Sequence, residues 1–69
     1  MIELTEEQKR ALDKLWARDV AAVADDEQSV QTWPTKDAML ASVQPGPGCV
    51  MIYWAGMWLG IEPDGYTHS

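Results

Sequence analysis

The run Cys49–Ile61 constrains this chain most: it carries no charge and holds a turn-forming pair, Ala55-Gly56, near its centre. Strand-like stretches Cys49–Trp54 and Met57–Glu62 flank that pair. With a two-residue loop, Trp54 pairs with Met57, Ile52 with Leu59 and Val50 with Ile61. All six are large and apolar, and all fall on one face. A four-residue loop keeps this pairing. A slip of one residue would turn the whole set to the other face, so the pattern itself specifies the register. The second face carries Tyr53 opposite Trp58, Met51 opposite Gly60 and Cys49 opposite Glu62. A half-solvated hairpin normally presents a polar outer face; here it is aromatic and sulfur-rich. Ala-Gly is a weaker hairpin signal than Asn-Gly and leaves the turn type open. Pro63-Asp64-Gly65 ends the second strand as a turn, and residues 66–69 read as a tail.

The N-terminal third is helical, over residues 5–24. Thr5-Glu6-Glu7-Gln8 is a capping box, in which the Thr hydroxyl accepts from the Gln8 N–H and the Gln8 side chain reaches back. Glu6 and Glu7 sit where the helix dipole favours negative charge. Leu12, Leu15, Trp16, Val20 and Val23 recur at helical spacing as one apolar stripe. Glu6 and Arg10 form an i,i+4 pair. Asp19, at the edge of the stripe, reads as a solvated flank. Asp25-Asp26-Glu27 ends the helix as an exposed connection. Trp33 precedes a proline and is extended. Thr35 caps a short helix over residues 36–43, with Met39, Leu40 and Val43 as its apolar face. Gln44-Pro45-Gly46-Pro47-Gly48 breaks regular structure. The expected fold is therefore α+β in a single small domain, residues 1–69: a long N-terminal helix, a short second helix and a C-terminal antiparallel hairpin at 49–62. The long helix and Met39, Leu40 and Val43 cover the six-residue hairpin face.

A domain of 69 residues buries a modest share of its surface and needs good packing, a crosslink, a metal or self-association. One cysteine excludes an internal disulfide, and a lone thiol suits a reducing compartment. Cys49 and His68 are the only thiol and imidazole, and a nucleophile needs a base held beside it. His68 lies on the tail, and Cys49 at a strand start reads as a small hydrophobe. Glu62, Asp64 and His68 surround one turn, but the plainer roles are a turn residue for Asp64 and a solvated strand end for Glu62. The expectation is no enzyme, no metal and no cofactor. The formal charge of −6 is concentrated after residue 24, where six acids face Lys36 alone. That balance disfavours direct nucleic-acid binding. Asp25, Asp26, Glu27 and Asp37 form a candidate acidic patch, suited to solubility or to a basic partner. The charged N-terminus lacks a signal-peptide core, and the uncharged run is too short for a helical membrane span.

The ending W-A-G-M-W-L-G-I-E-P-D-G-Y-T-H-S, residues 54–69, resembles a recurring ending of small uncharacterised tailed-bacteriophage proteins. The resemblance extends weakly to Ser42-Val-Gln-Pro45 and to Leu15-Trp16-Ala-Arg-Asp19. It implies a phage gene product in the bacterial host cytoplasm, and it implies no activity and no functional residue. The expected function is a small acidic protein that acts without catalysis by binding and modulating a host protein. Its candidate interaction face is Met51, Tyr53 and Trp58, residue types enriched at interfaces. Two alternatives stand beside it: a homo-oligomeric structural or assembly accessory using the same face, and an acidic mimic of nucleic acid. The chain's own termini covering that face is the competing structural account.

Overall fold

A computed structural model describes residues 2–25 and 30–69. Among them the chain forms α1 (Glu6–Asp25), α2 (Lys36–Ala41), β1 (Gln44–Gly46), β2 (Cys49–Trp54), β3 (Met57–Ile61) and β4 (Thr67–His68). The four strands make one antiparallel sheet in the order β1-β2-β3-β4. The class is α+β as expected, but the hairpin is the centre of a four-stranded sheet. The Pro-Gly segment is not simply a break, because Gln44–Gly46 pairs with Cys49–Met51. Pro45 is tolerated there because β1 is an edge strand. Pro47-Gly48 then turns the chain, with φ +69° at Gly48, as the second central residue of a type II turn requires. The supposed tail contributes Thr67 and His68, paired with Ile61 and Gly60.

The β2–β3 register matches the pattern: Val50↔Ile61, Ile52↔Leu59, Trp54↔Met57 and, on the other face, Tyr53↔Trp58 and Met51↔Gly60. Cys49 pairs with Gly46 of β1 on one side and has no strand partner on the other among the described residues, because β3 ends at Ile61 and does not extend to Glu62. Ala55 and Gly56 have φ of +53° and +84°. Positive φ at both central residues is the type I′ geometry, whose twist matches that of the strands.

The helix is capped as its sequence requires: the Gln8 N–H donates to Thr5 Oγ1 at 3.1 Å, and the Thr5 N–H donates to Gln8 Oε1 at 2.9 Å. Its buried stripe is Gln8, Leu12, Leu15 and Asp19, a spacing of four, three and four that follows one face of a 3.6-residue helix. The expected stripe is therefore rotated. Val20 is 42% exposed and Val23 half-buried, and Trp16 packs at the margin. The surface charge pairs are Glu6–Lys9 and Glu7–Arg10, at i,i+3, in place of Glu6–Arg10. The core comprises Leu12, Leu15, Trp33, Met39, Val43, Val50, Ile52 and Ile61. Met57, beside the turn, is 50% exposed, and Leu40, expected on the apolar face of α2, is 37% exposed. Thr35 caps α2 with its hydroxyl accepting from the Ala38 N–H at 3.1 Å. Trp33, in the bend that precedes α2, is a buried member of the core.

Asp19 is the largest departure from expectation. It is 4% exposed and accepts hydrogen bonds from Trp54 Nε1 at 3.0 Å, Thr32 Oγ1 at 2.7 Å and the Thr32 N–H at 3.0 Å. Burial pushes its carboxyl up. The hydrogen bonds from Trp54, from Thr32 and from the Trp33 backbone outweigh that and hold it below the ordinary value of 3.8. A carboxyl whose folded-state value is depressed contributes stability that is fully present above the ordinary value. That contribution is lost as the pH falls through the folded-state value. Asp19→Ala leaves buried donors unpaired and should cost about 2–4 kcal/mol in urea unfolding near neutral pH. Asp19→Asn should cost less, and its deficit against the native protein should hold from neutral pH down to the ordinary value of 3.8 and shrink only below it, because only the native carboxylate is lost to protonation. Ala55→Asn, which tolerates positive φ better, should raise stability by about 0.5–1 kcal/mol in the same measurement.

Candidate functional site

The sheet has two unlike faces. The inner face, with Val50, Ile52 and Ile61, is covered by α1 and α2. The outer face carries the alternate residues Cys49, Met51, Tyr53 and Trp58. No helix among the described residues packs there. Tyr53 and Trp58 are directly paired across β2 and β3, with ring centroids 5.4 Å apart and planes inclined at 38°. They are 49% and 46% exposed. A tilted pair at this distance is favourable in itself and holds both rings as one apolar step on the surface. The structure thus brings all three expected interaction residues to one face, with Met51 half-buried and the two rings open.

Beside Met51, the Cys49 thiol lies 3.7 Å from the Met51 sulfur. On the far side of Trp58 the face is extended by residues that sequence reasoning assigned to a tail. A Cβ placed on Gly60 would lie 2.7 Å from His68 Cε1, so the imidazole of β4 rests on the bare backbone of β3. His68 also stacks on Tyr66, with centroids 5.9 Å apart, and its Nε2 lies 3.8 Å from Glu62 Oε1. The tail therefore covers Gly60 and leaves Tyr53 and Trp58 open, which answers in part how far the chain covers its own second face. A glycine opposite a two-residue strand was the available signal for this contact, but two residues carry no readable period.

The remaining candidates are dispersed. The Cys49 thiol faces Met51 and the His68 ring faces Gly60, with no hydrogen bond between them among the described residues. Asp64 Oδ1 accepts from the Tyr66 N–H at 3.0 Å and so serves its turn. No group of three His, Cys, Asp or Glu side chains that could hold a metal ion occurs among the described residues. Of the acidic patch, Asp25 closes α1 and Asp37 lies in the first turn of α2, both exposed, whereas Asp26 and Glu27 lie outside the described residues. No described helix is long and apolar enough to cross a membrane.

Gly60→Ala tests how the outer face is built. The added methyl must displace the His68 ring, so β4 should detach and Tyr66 and His68 amide protons should lose protection in hydrogen exchange. Because the displaced group ends a short edge strand, global stability should fall by no more than about 1 kcal/mol. No protein-family model matches the chain, and no curated protein or solved structure shows significant similarity to it.

Proposed function

We propose that this is a small acidic phage-type protein that works without catalysis, in the host bacterial cytoplasm, by binding a host protein and modulating it through the outer face of its sheet. The observation that carries the reading is the Tyr53–Trp58 pair, half exposed on the sheet face opposite the helices. Large rings held rigidly lose little conformational freedom on binding, and Trp and Tyr dominate the energetic centres of protein interfaces. Met51 adds an unbranched, polarizable neighbour that adapts to irregular surfaces. The ending that resembles phage proteins lies on the same elements, β3 and β4.

The same face supports a second reading, a homo-oligomeric assembly accessory, because both edges of the sheet are short strands of two and three residues that a second copy can extend. Tagged native protein and a Tyr53→Ala, Trp58→Ala double variant should be used to capture proteins from a bacterial lysate, and the captured protein purified and titrated. The double variant should bind at least about tenfold more weakly, as expected when an interface centre is truncated. Equal retention by both proteins, or none by either, overturns the host-binding reading. Light scattering at micromolar concentration decides the second: a clean monomer removes it.

A further inference from the structure

On the other side of the molecule, α1 lies over the β2–β3 hairpin, anchored at Ile61 of β3 and at Trp54 of β2. Near its start, Gln8 Nε2 donates to the Ile61 carbonyl at 3.1 Å, and a Cβ at Gly65 would lie 3.0 Å from the Glu7 carbonyl oxygen. Near its end, Asp19 accepts from Trp54 Nε1, and the Arg18 guanidinium sits 5.2 Å from the centre of the Trp54 ring. Between helix and strand is a cleft of about 390 Å³, floored by Ala11, Leu15, Leu59 and Ile61 and walled by Arg10, Lys14 and Arg18. The three bases recur every fourth residue, so they form one row along the helix. Glu7 neutralises Arg10 at 2.5 Å, and Asp64 also lies at that end. Lys14 has no ion-pair partner among the described residues, and Arg18 makes only its contact with Trp54. In a chain of net charge −6, the Lys14–Arg18 end of this cleft is a local cationic site over an apolar floor.

The edge of β3 beside it is open. Strand β4 pairs only with Gly60 and Ile61, so Met57, Trp58 and Leu59 have no strand partner on that side among the described residues. Residues four apart on a helix are about 6 Å apart along its axis. Alternate residues of an extended chain are about 6.6 Å apart. An extended segment lying along the cleft with carboxylates two residues apart therefore places one against Lys14 and the next against Arg18. Its intervening backbone meets the open edge of β3. A small amphiphile has one head group and uses one cation. A second copy of this chain brings another net charge of −6 against the first.

We infer that the α1–β3 cleft is a binding site for an extended acidic segment of a partner protein, with carboxylates at alternate positions facing Lys14 and Arg18. The site uses the backbone edge of β3 and not the exposed rings of Tyr53 and Trp58, and it stands without them. The test is a titration of the full chain, followed by amide NMR, with a short end-blocked peptide alternating Val and Glu, and with its Val–Gln counterpart. The Val–Glu peptide should saturate, shifting the amides of Leu59, Ile61 and Thr67, and should bind about five- to tenfold more tightly than the Val–Gln peptide, the gain of two surface ion pairs. Raising the salt should erase the difference. Lys14→Glu should weaken the Val–Glu peptide and leave the Val–Gln peptide unchanged. Equal binding of the two peptides, or no saturation by about 1 mM, overturns the proposal. So does self-association that Lys14→Glu abolishes, since the cleft is then filled by a second copy.

Discussion

The placement of α1 on the sheet depends on two polar side chains at the ends of an otherwise apolar stripe. Leu12 and Leu15 supply burial, but apolar contact is non-directional and by itself permits the helix to slide or roll. Gln8 and Asp19 remove both freedoms. The Gln8 amide is held between its own capping box and the Ile61 carbonyl, at one end of β3. The Asp19 carboxylate gathers the Trp54 indole, at the end of β2, and the Thr32–Trp33 backbone. Every buried side-chain nitrogen and oxygen among the described residues has a partner, so these two sites hold the helix without leaving an orphan. Asp19 also joins three parts of the chain distant in sequence, which makes it a point where helix, connection and hairpin form together.

That clamp explains the distribution of exposed apolar groups. With Asp19 turned inward, Val20 must lie on the flank, and Met57, beside the hairpin turn, is left half exposed. Trp33, in the bend before α2, packs in the same core cluster as Met39 and Val43. The core on the inner face of the sheet is thus filled by the α1 stripe, by Trp33 and by Met39 and Val43. Among the described residues, the Tyr66–His68 segment covers part of the outer face, and it reaches Gly60.

Which parts of this were legible follows from the range of the interactions involved. The β2–β3 register was readable because alternation over two adjacent strands is a local, period-two signal that six side chains repeat. The caps at Thr5 and Thr35 were readable for the same reason, each closing over three residues. Asp19 was not, because its donors lie 13 and 35 residues away. A carboxylate at the margin of an apolar stripe looks the same whether it faces water or a distant indole. The edge strands were missed because Pro45 masks one and two residues make up the other. Of the outer face, Met51, Tyr53 and Trp58 followed from the register, whereas His68 depended on the chain folding back.

Net charge misleads in the same way. A total of −6 describes an acidic molecule, yet a protein of this size presents separate surfaces, and a ligand meets only one of them. The bases of α1 are not balanced evenly by the acids of the same helix. Glu6 and Glu7 occupy Lys9 and Arg10 in the first turns, and Asp13 occupies Lys36 of α2. Asp19, the acid one residue beyond Arg18, is turned into the core by its hydrogen bonds with Thr32 and Trp54. Its charge is spent on holding the fold, and Lys14 and Arg18 are left to set the local field along the cleft. The interaction that orients the helix therefore also decides where an acidic protein is locally cationic.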